Sequence, residues 1–134
     1  MTRRFRGGPL EWLVWSVWGI AGMGCQELEP SDCLRTPPLS YETFGQGFLE
    51  KNCTGCHSSL LPEAQRNDAP LGVDFDSYAG VVQWADRIAD RAVDASSTMP
   101  PGGGPTEEDR AMLSEWLSCQ VQPDAEAVAA QGAP

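Results

Sequence analysis

The stretch Cys53-Thr54-Gly55-Cys56-His57 contains the only histidine of this 134-residue chain. Two thiols that are separated by two residues can both reach one edge of a flat macrocycle. The imidazole that follows directly reaches a metal at the centre of that macrocycle from the same side. The pentapeptide therefore presents two sulfur nucleophiles and one metal-binding nitrogen to a single group.

This C-x-x-C-H spacing is the pattern of covalent c-type haem attachment. It predicts one haem c, bound through thioethers from Cys53 and Cys56, with His57 as an axial iron ligand. Because the chain has one such motif and no second histidine, a bis-histidine iron is excluded within the chain. The sixth iron position is then filled by methionine or a weak ligand, or it is empty.

Two other sites use a C-x-x-C pair, namely a redox dithiol and half of a zinc site. Redox dithiols follow a β-strand, and no strand pattern precedes Cys53. A zinc site needs a second ligand pair, whereas the remaining candidates Cys33 and Cys119 lie far apart in the sequence. We therefore favour the haem interpretation over these two alternatives.

Residues 1–24 are predicted to be a signal peptide. Three arginines near the start precede the uncharged apolar run from Trp12 to Gly24. This run is shorter than the roughly 20 residues of a membrane-spanning helix, although an uncleaved anchor is the alternative. We expect the protein to be exported to the periplasm or cell envelope.

The end of this segment, Ala21 to Cys25, resembles a bacterial lipoprotein cleavage box. That resemblance implies cleavage before Cys25 and acylation of its thiol, which would anchor the protein to a membrane. Gly22 departs from the pattern, because a larger aliphatic residue is usual at that position.

The mature chain is predicted to have three parts: a lipid tether and linker at 25–40, a domain at 41–120 and a disordered tail at 121–134. Within the domain, apolar periodicity predicts helices at Tyr41–Asn52 and Ser77–Val93. A third helix is expected to start at Thr106, with a capping box to Asp109, and to end at Pro123. Loops rich in proline and glycine connect these helices, so the fold class is a small all-α domain of three to four short helices.

A helix that runs into the C-x-x-C-H motif, and a Met-Pro loop before the last helix, resemble the cytochrome c family over residues 41–119. The loop here is Ser97-Thr98-Met99-Pro100-Pro101. The resemblance implies that the helices surround one haem and that Met99 is the distal iron ligand. Met112, on the apolar face of the last helix, is the alternative ligand, although we expect it in the core.

The same resemblance implies that the first and last helices cross, with Gly45 allowing a close approach and Phe48 meeting Trp116. Such a crossing would bring together Cys33, before the first helix, and Cys119, at the end of the last. A disulfide between them suits an oxidising compartment. Haem ligation by either of these thiols is the alternative.

The net charge of −10 argues against a nucleic-acid partner, which requires a basic surface. We therefore expect an exported electron carrier, not an enzyme, that exchanges single electrons with redox protein partners and has no small-molecule substrate. One alternative is a haem enzyme or gas sensor with an open sixth iron position. The other is a lipoprotein without haem that is held together by disulfides.

Overall fold

A computed structural model describes residues 33–93 and 97–132. These residues form helices joined by loops, with no β-strand among them, so the predicted all-α class is confirmed for this part of the chain. No helix within these ranges is long and apolar enough to span a bilayer. The predicted signal peptide and Cys25 lie outside the described residues.

The first helical segment is a π-helical turn, Tyr41–Gly45, followed by helix α1, Gln46–Asn52. Ser40 caps it through a reciprocal capping box with Thr43, in which each side chain accepts the other residue's backbone N–H. Helix α1 buries Phe48 and Leu49 and ends at the residue before Cys53. The predicted helix at 41–52 is confirmed.

The helix predicted at 77–93 is divided in two, α2 at Tyr78–Gln83 and α3 at Ala85–Ala92. Trp84 lies between them with φ −114° and ψ 16°, outside the helical region. Its indole Nε1 donates to the carbonyl of Gly72 at 3.1 Å, so the residue between the two helices is hydrogen-bonded to the loop that precedes α2. Both helices still bury the predicted stripe, which includes Val81, Ala85, Ile88 and Ala92.

Helix α4, Glu107–Trp116, starts at the predicted capping box of Thr106 and Asp109. The expectation that Pro123 ends this helix is wrong. A π-helical turn at Leu117–Val121 leads into a further helix, α5, at Gln122–Gly132. Gln122 keeps helical dihedrals (φ −66°, ψ −44°), and its N–H donates to the carbonyl of Leu117, five residues earlier. The helix therefore continues through a π-helical turn whose hydrogen-bond register differs from that of an α-helix just before Pro123.

Helix α5 also corrects the expectation of a disordered tail at 121–134. Tyr78 on α2 donates its hydroxyl to Asp124 Oδ2 at 2.5 Å, and Val121, just before α5, is fully buried. These two contacts connect α5 to the rest of the domain, and neither follows from the alanine-rich composition of the segment.

Trp116 is the centre of the core and is 0% exposed. Its ring lies against Gly45, where an added Cβ would overlap the indole. We expected Phe48 at this crossing. The edge-on contact with Trp116 is made by Phe44, at 6.0 Å between centroids, and Phe44 in turn packs against Phe48.

The disulfide expected between Cys33 and Cys119 is present, with 5.5 Å between the two Cα atoms. Beside it, Arg35 forms a two-pronged ion pair with Glu115, in which Nε and Nη2 donate to the two carboxylate oxygens at 2.7 and 2.9 Å. This hydrogen bond lowers the pKa of Glu115. The disulfide and the ion pair both hold the segment before α1 against the end of α4.

Replacement of Gly45 by alanine is expected to destabilise the domain by about 1–3 kcal/mol, because the added methyl group overpacks the contact with Trp116. Urea unfolding of the mature protein measures this. Gly47→Ala is the matched control, two residues later in α1, where a Cβ has open space. It should stabilise by up to about 1 kcal/mol, since alanine favours the helix. Equal effects of the two substitutions would contradict the close crossing.

Alkaline pH should weaken the attachment of α5. Burial, followed by the hydrogen bond to Asp124, raises the pKa of Tyr78. The pKa of Tyr78 in the folded protein is therefore above the value of about 10 that tyrosine has in the unfolded chain. The hydrogen bond to Asp124 contributes its full stabilisation below about pH 10, and this stabilisation is lost as the pH rises above about 10. The unfolding free energy of the wild type should therefore fall more steeply than that of Tyr78→Phe as the pH rises above about 10. Parallel profiles for the two proteins would contradict the role of this hydrogen bond.

Candidate functional site

The C-x-x-C-H residues form a tight turn that continues directly from α1. The carbonyl of Cys53 accepts the N–H groups of Cys56 and His57 at 3.1 and 2.9 Å. These bonds fold the backbone into one compact turn, and the two thiols and the imidazole all extend from it. Both thiols are partly buried and neither has a disulfide partner among the described residues.

His57 is held by its Nδ1 atom. That nitrogen lies 3.0 Å from the carbonyl oxygen of Val73, and the ring stacks on Phe75 with 4.8 Å between centroids. A carbonyl oxygen can only accept a hydrogen bond, so Nδ1 carries the proton in this contact. In the tautomer that carries this proton, the lone pair is on Nε2, which is the nitrogen available to a metal.

The loop that supplies the Val73 carbonyl is organised around Arg66, which is 1% exposed. Its guanidinium donates to four backbone carbonyls, those of Ser58 (2.5 Å), Ala69 (3.1 Å), Pro70 (2.8 Å) and Val73 (3.0 Å). Asp74 Oδ1 lies 2.6 Å from Nη1 and completes an ion pair, although that oxygen has no well-aligned hydrogen bond. A buried charge of this kind is tolerated only when it is paired and hydrogen-bonded.

The burial of Arg66 was not predicted from the sequence. Arg66 is one of several arginines, and it lies in a segment without helical periodicity. The only available signal was its position between two prolines in the loop that follows His57. That position does not predict burial, because the partners are backbone carbonyls, which every residue carries.

The loop also closes back on the end of the motif. Asp76 Oδ2 accepts the backbone N–H of Ser59 at 2.6 Å, and Phe75 N–H donates to the His57 carbonyl at 2.9 Å. Burial acts to raise the pKa of Asp76, but hydrogen bonds from Ser58 and Ser59 outweigh it and lower the pKa. The carboxylate therefore stays ionised at neutral pH and holds the loop in place.

The thiol of Cys53 differs from that of a redox dithiol. Burial raises the pKa of Cys53 to about 12. A dithiol that exchanges disulfides needs a thiolate near neutral pH, and its attacking cysteine has a lowered pKa. As for the zinc alternative, no group of three or more His, Cys, Asp or Glu side chains is positioned to hold a metal ion in residues 33–93 and 97–132.

Met99 lies in the predicted loop before α4, with its side chain packed against the core. Its backbone is held by two groups: its N–H donates to the carbonyl of Arg91 at 2.9 Å, and its carbonyl accepts from Arg110 Nη1 at 3.2 Å. Further along this loop, a Cβ on Gly104 would lie 3.6 Å from the side chain of Asn52. The methionine loop therefore borders the residue that precedes Cys53.

The other candidate residues have separate positions. Met112 is half-buried on α4. Cys33 and Cys119 are joined to each other away from the C-x-x-C-H turn, so neither thiol is available as an iron ligand.

Comparisons with family models, with curated proteins and with solved structures found no match to this chain.

Proposed function

We propose that this protein is an exported, single-haem c-type cytochrome that carries electrons between redox protein partners in the periplasm or cell envelope, tethered by a lipid on Cys25. The observation that supports it best is the hydrogen bond between His57 Nδ1 and the Val73 carbonyl. Histidines that bind metals almost always donate their other ring N–H to a carbonyl, a carboxylate or water, which fixes the ring and its tautomer.

The state of the four described cysteines supports covalent attachment. Thioether formation requires two reduced thiols, and within residues 33–93 and 97–132 neither Cys53 nor Cys56 has a disulfide partner. Cys33 and Cys119 are already joined, so they do not compete for these thiols. A disulfide-stapled lipoprotein without haem would instead require Cys53 and Cys56 to be paired with each other or with Cys33 and Cys119.

The donor set fits a haem. If a haem is bound, Cys53 and Cys56 would hold it through thioethers, and His57 Nε2 and the Met99 thioether would bind its iron. Haem supplies a one-electron redox centre when bound, and Met/His ligation favours a high reduction potential. With both of these side chains on the iron, no coordination position would be left for a substrate. The net charge of −10 favours a partner with a basic docking face.

The test uses the full chain, expressed in a bacterial host that has haem-attachment machinery. We expect the purified protein to titrate as a single one-electron centre, and the reduced form not to bind carbon monoxide. Met99→Ala should leave one coordination position of the iron free, so the reduced variant should bind carbon monoxide. Met112→Leu is the matched control and should behave as the wild type.

Three results would contradict parts of this proposal. Carbon monoxide binding by the reduced wild type would indicate an open sixth position, as in a haem enzyme or gas sensor. Carbon monoxide binding by Met112→Leu and not by Met99→Ala would indicate that Met112, and not Met99, is the distal iron ligand. Purified protein without haem absorption would favour the disulfide-stapled lipoprotein.

A further inference from the structure

The carbonyl oxygen of Val73 has two donors. It accepts from His57 Nδ1 at 3.0 Å and from Arg66 Nη2 at 3.0 Å. The same Nη2 also donates to the carbonyl of Pro70 at 2.8 Å. One nitrogen of a buried guanidinium therefore fixes both ends of the short segment that presents the acceptor for the histidine.

The rest of the guanidinium restrains Arg66 itself. Nε and Nη1 donate to the carbonyls of Ala69 and Ser58, and Asp74 lies 2.6 Å from Nη1. Ser58 is the residue that directly follows His57, so the Arg66 side chain also restrains the backbone next to the histidine. A planar group with five donors in a fixed fork suits this task, whereas a lysine ammonium has no such geometry.

We propose that Arg66 is a positioning residue that sets the reduction potential of the iron through His57. The inference rests on the proposed function. By fixing the Val73 carbonyl, Arg66 maintains the hydrogen bond to Nδ1–H. That bond makes the imidazole a stronger donor through Nε2, which favours Fe(III) over Fe(II).

The sign of the potential shift separates this role from a simple charge effect. If Arg66 positions the carbonyl, Arg66→Met weakens the Nδ1–H hydrogen bond, the imidazole donates less, and the reduction potential rises. If Arg66 acted only as a nearby positive charge, its removal would favour the ferric state and the potential would fall. A residue that only supports folding would change the stability of the domain and leave the potential of the folded protein unchanged.

The experiment measures the reduction potential of the haem-loaded wild type and of Arg66→Met by spectroelectrochemical titration. A second readout is the iron–histidine stretching frequency by resonance Raman spectroscopy, recorded for reduced protein in a Met99→Ala background. We expect a higher potential and a lower stretching frequency in Arg66→Met. Arg66→Lys keeps the charge but cannot span four carbonyls, so it should shift the potential and the stretching frequency in the same directions by smaller amounts. This variant keeps the test decisive if Arg66→Met does not fold.

An unchanged or lowered potential in the folded variants, or an unchanged stretching frequency, would overturn the role of Arg66 while leaving the proposed function intact. A wild-type protein that carries no haem would overturn both.

Discussion

The contact between Trp116 and Gly45 is the constraint on which the rest of the domain depends. A buried indole lies directly on the backbone of the turn before α1, so there is no room for a side chain at Gly45 between the first helical segment and α4. Tyr41, Phe44 and Tyr78 surround the same ring. With α1 fixed in this way, the turn that begins at Cys53 has a defined place at the edge of the core.

The loop after His57 is stabilised in a different way. It contains few buried apolar side chains, of which Phe75 is the main one, and it uses the buried guanidinium of Arg66 as its centre. Four carbonyls that would otherwise need water are satisfied by one side chain, and Asp74 balances its charge. A rigid loop matters here because it supplies the carbonyl that orients the imidazole. In the proposed cytochrome, this loop would connect Arg66 to the iron through the Val73 carbonyl and His57.

Much of this fold was predictable from local sequence. Ser40 and Thr106 are strong helix-start signals, and the apolar stripes of the helices match the buried residues. The break at Trp84, by contrast, depends on a hydrogen bond to Gly72, and the continuation past Pro123 depends on contacts of Tyr78 and Val121. These are tertiary interactions, which override local propensity and leave no periodic signal in the sequence.

The candidate site was predictable to a similar extent. The thiols and the imidazole follow from the spacing of five consecutive residues, and the methionine loop was recognisable through Met99-Pro100. The shell around His57 was not predictable, because its acceptor is the backbone carbonyl of Val73 and its organiser is an arginine that resembles any other in the sequence. Residue types indicate candidate ligands, but they do not predict which carbonyl such a residue will contact.

The most direct test of the central claim is the intact mass of the mature protein, purified from the membrane fraction of a host with haem-attachment machinery. We expect one covalently bound haem, retained after denaturation, on a chain that begins at Cys25 and carries acyl groups. The loss of that haem in Cys53→Ser/Cys56→Ser would assign the attachment to these two residues. A denatured wild-type chain whose mass contains no haem would contradict covalent haem attachment and with it the proposed cytochrome function.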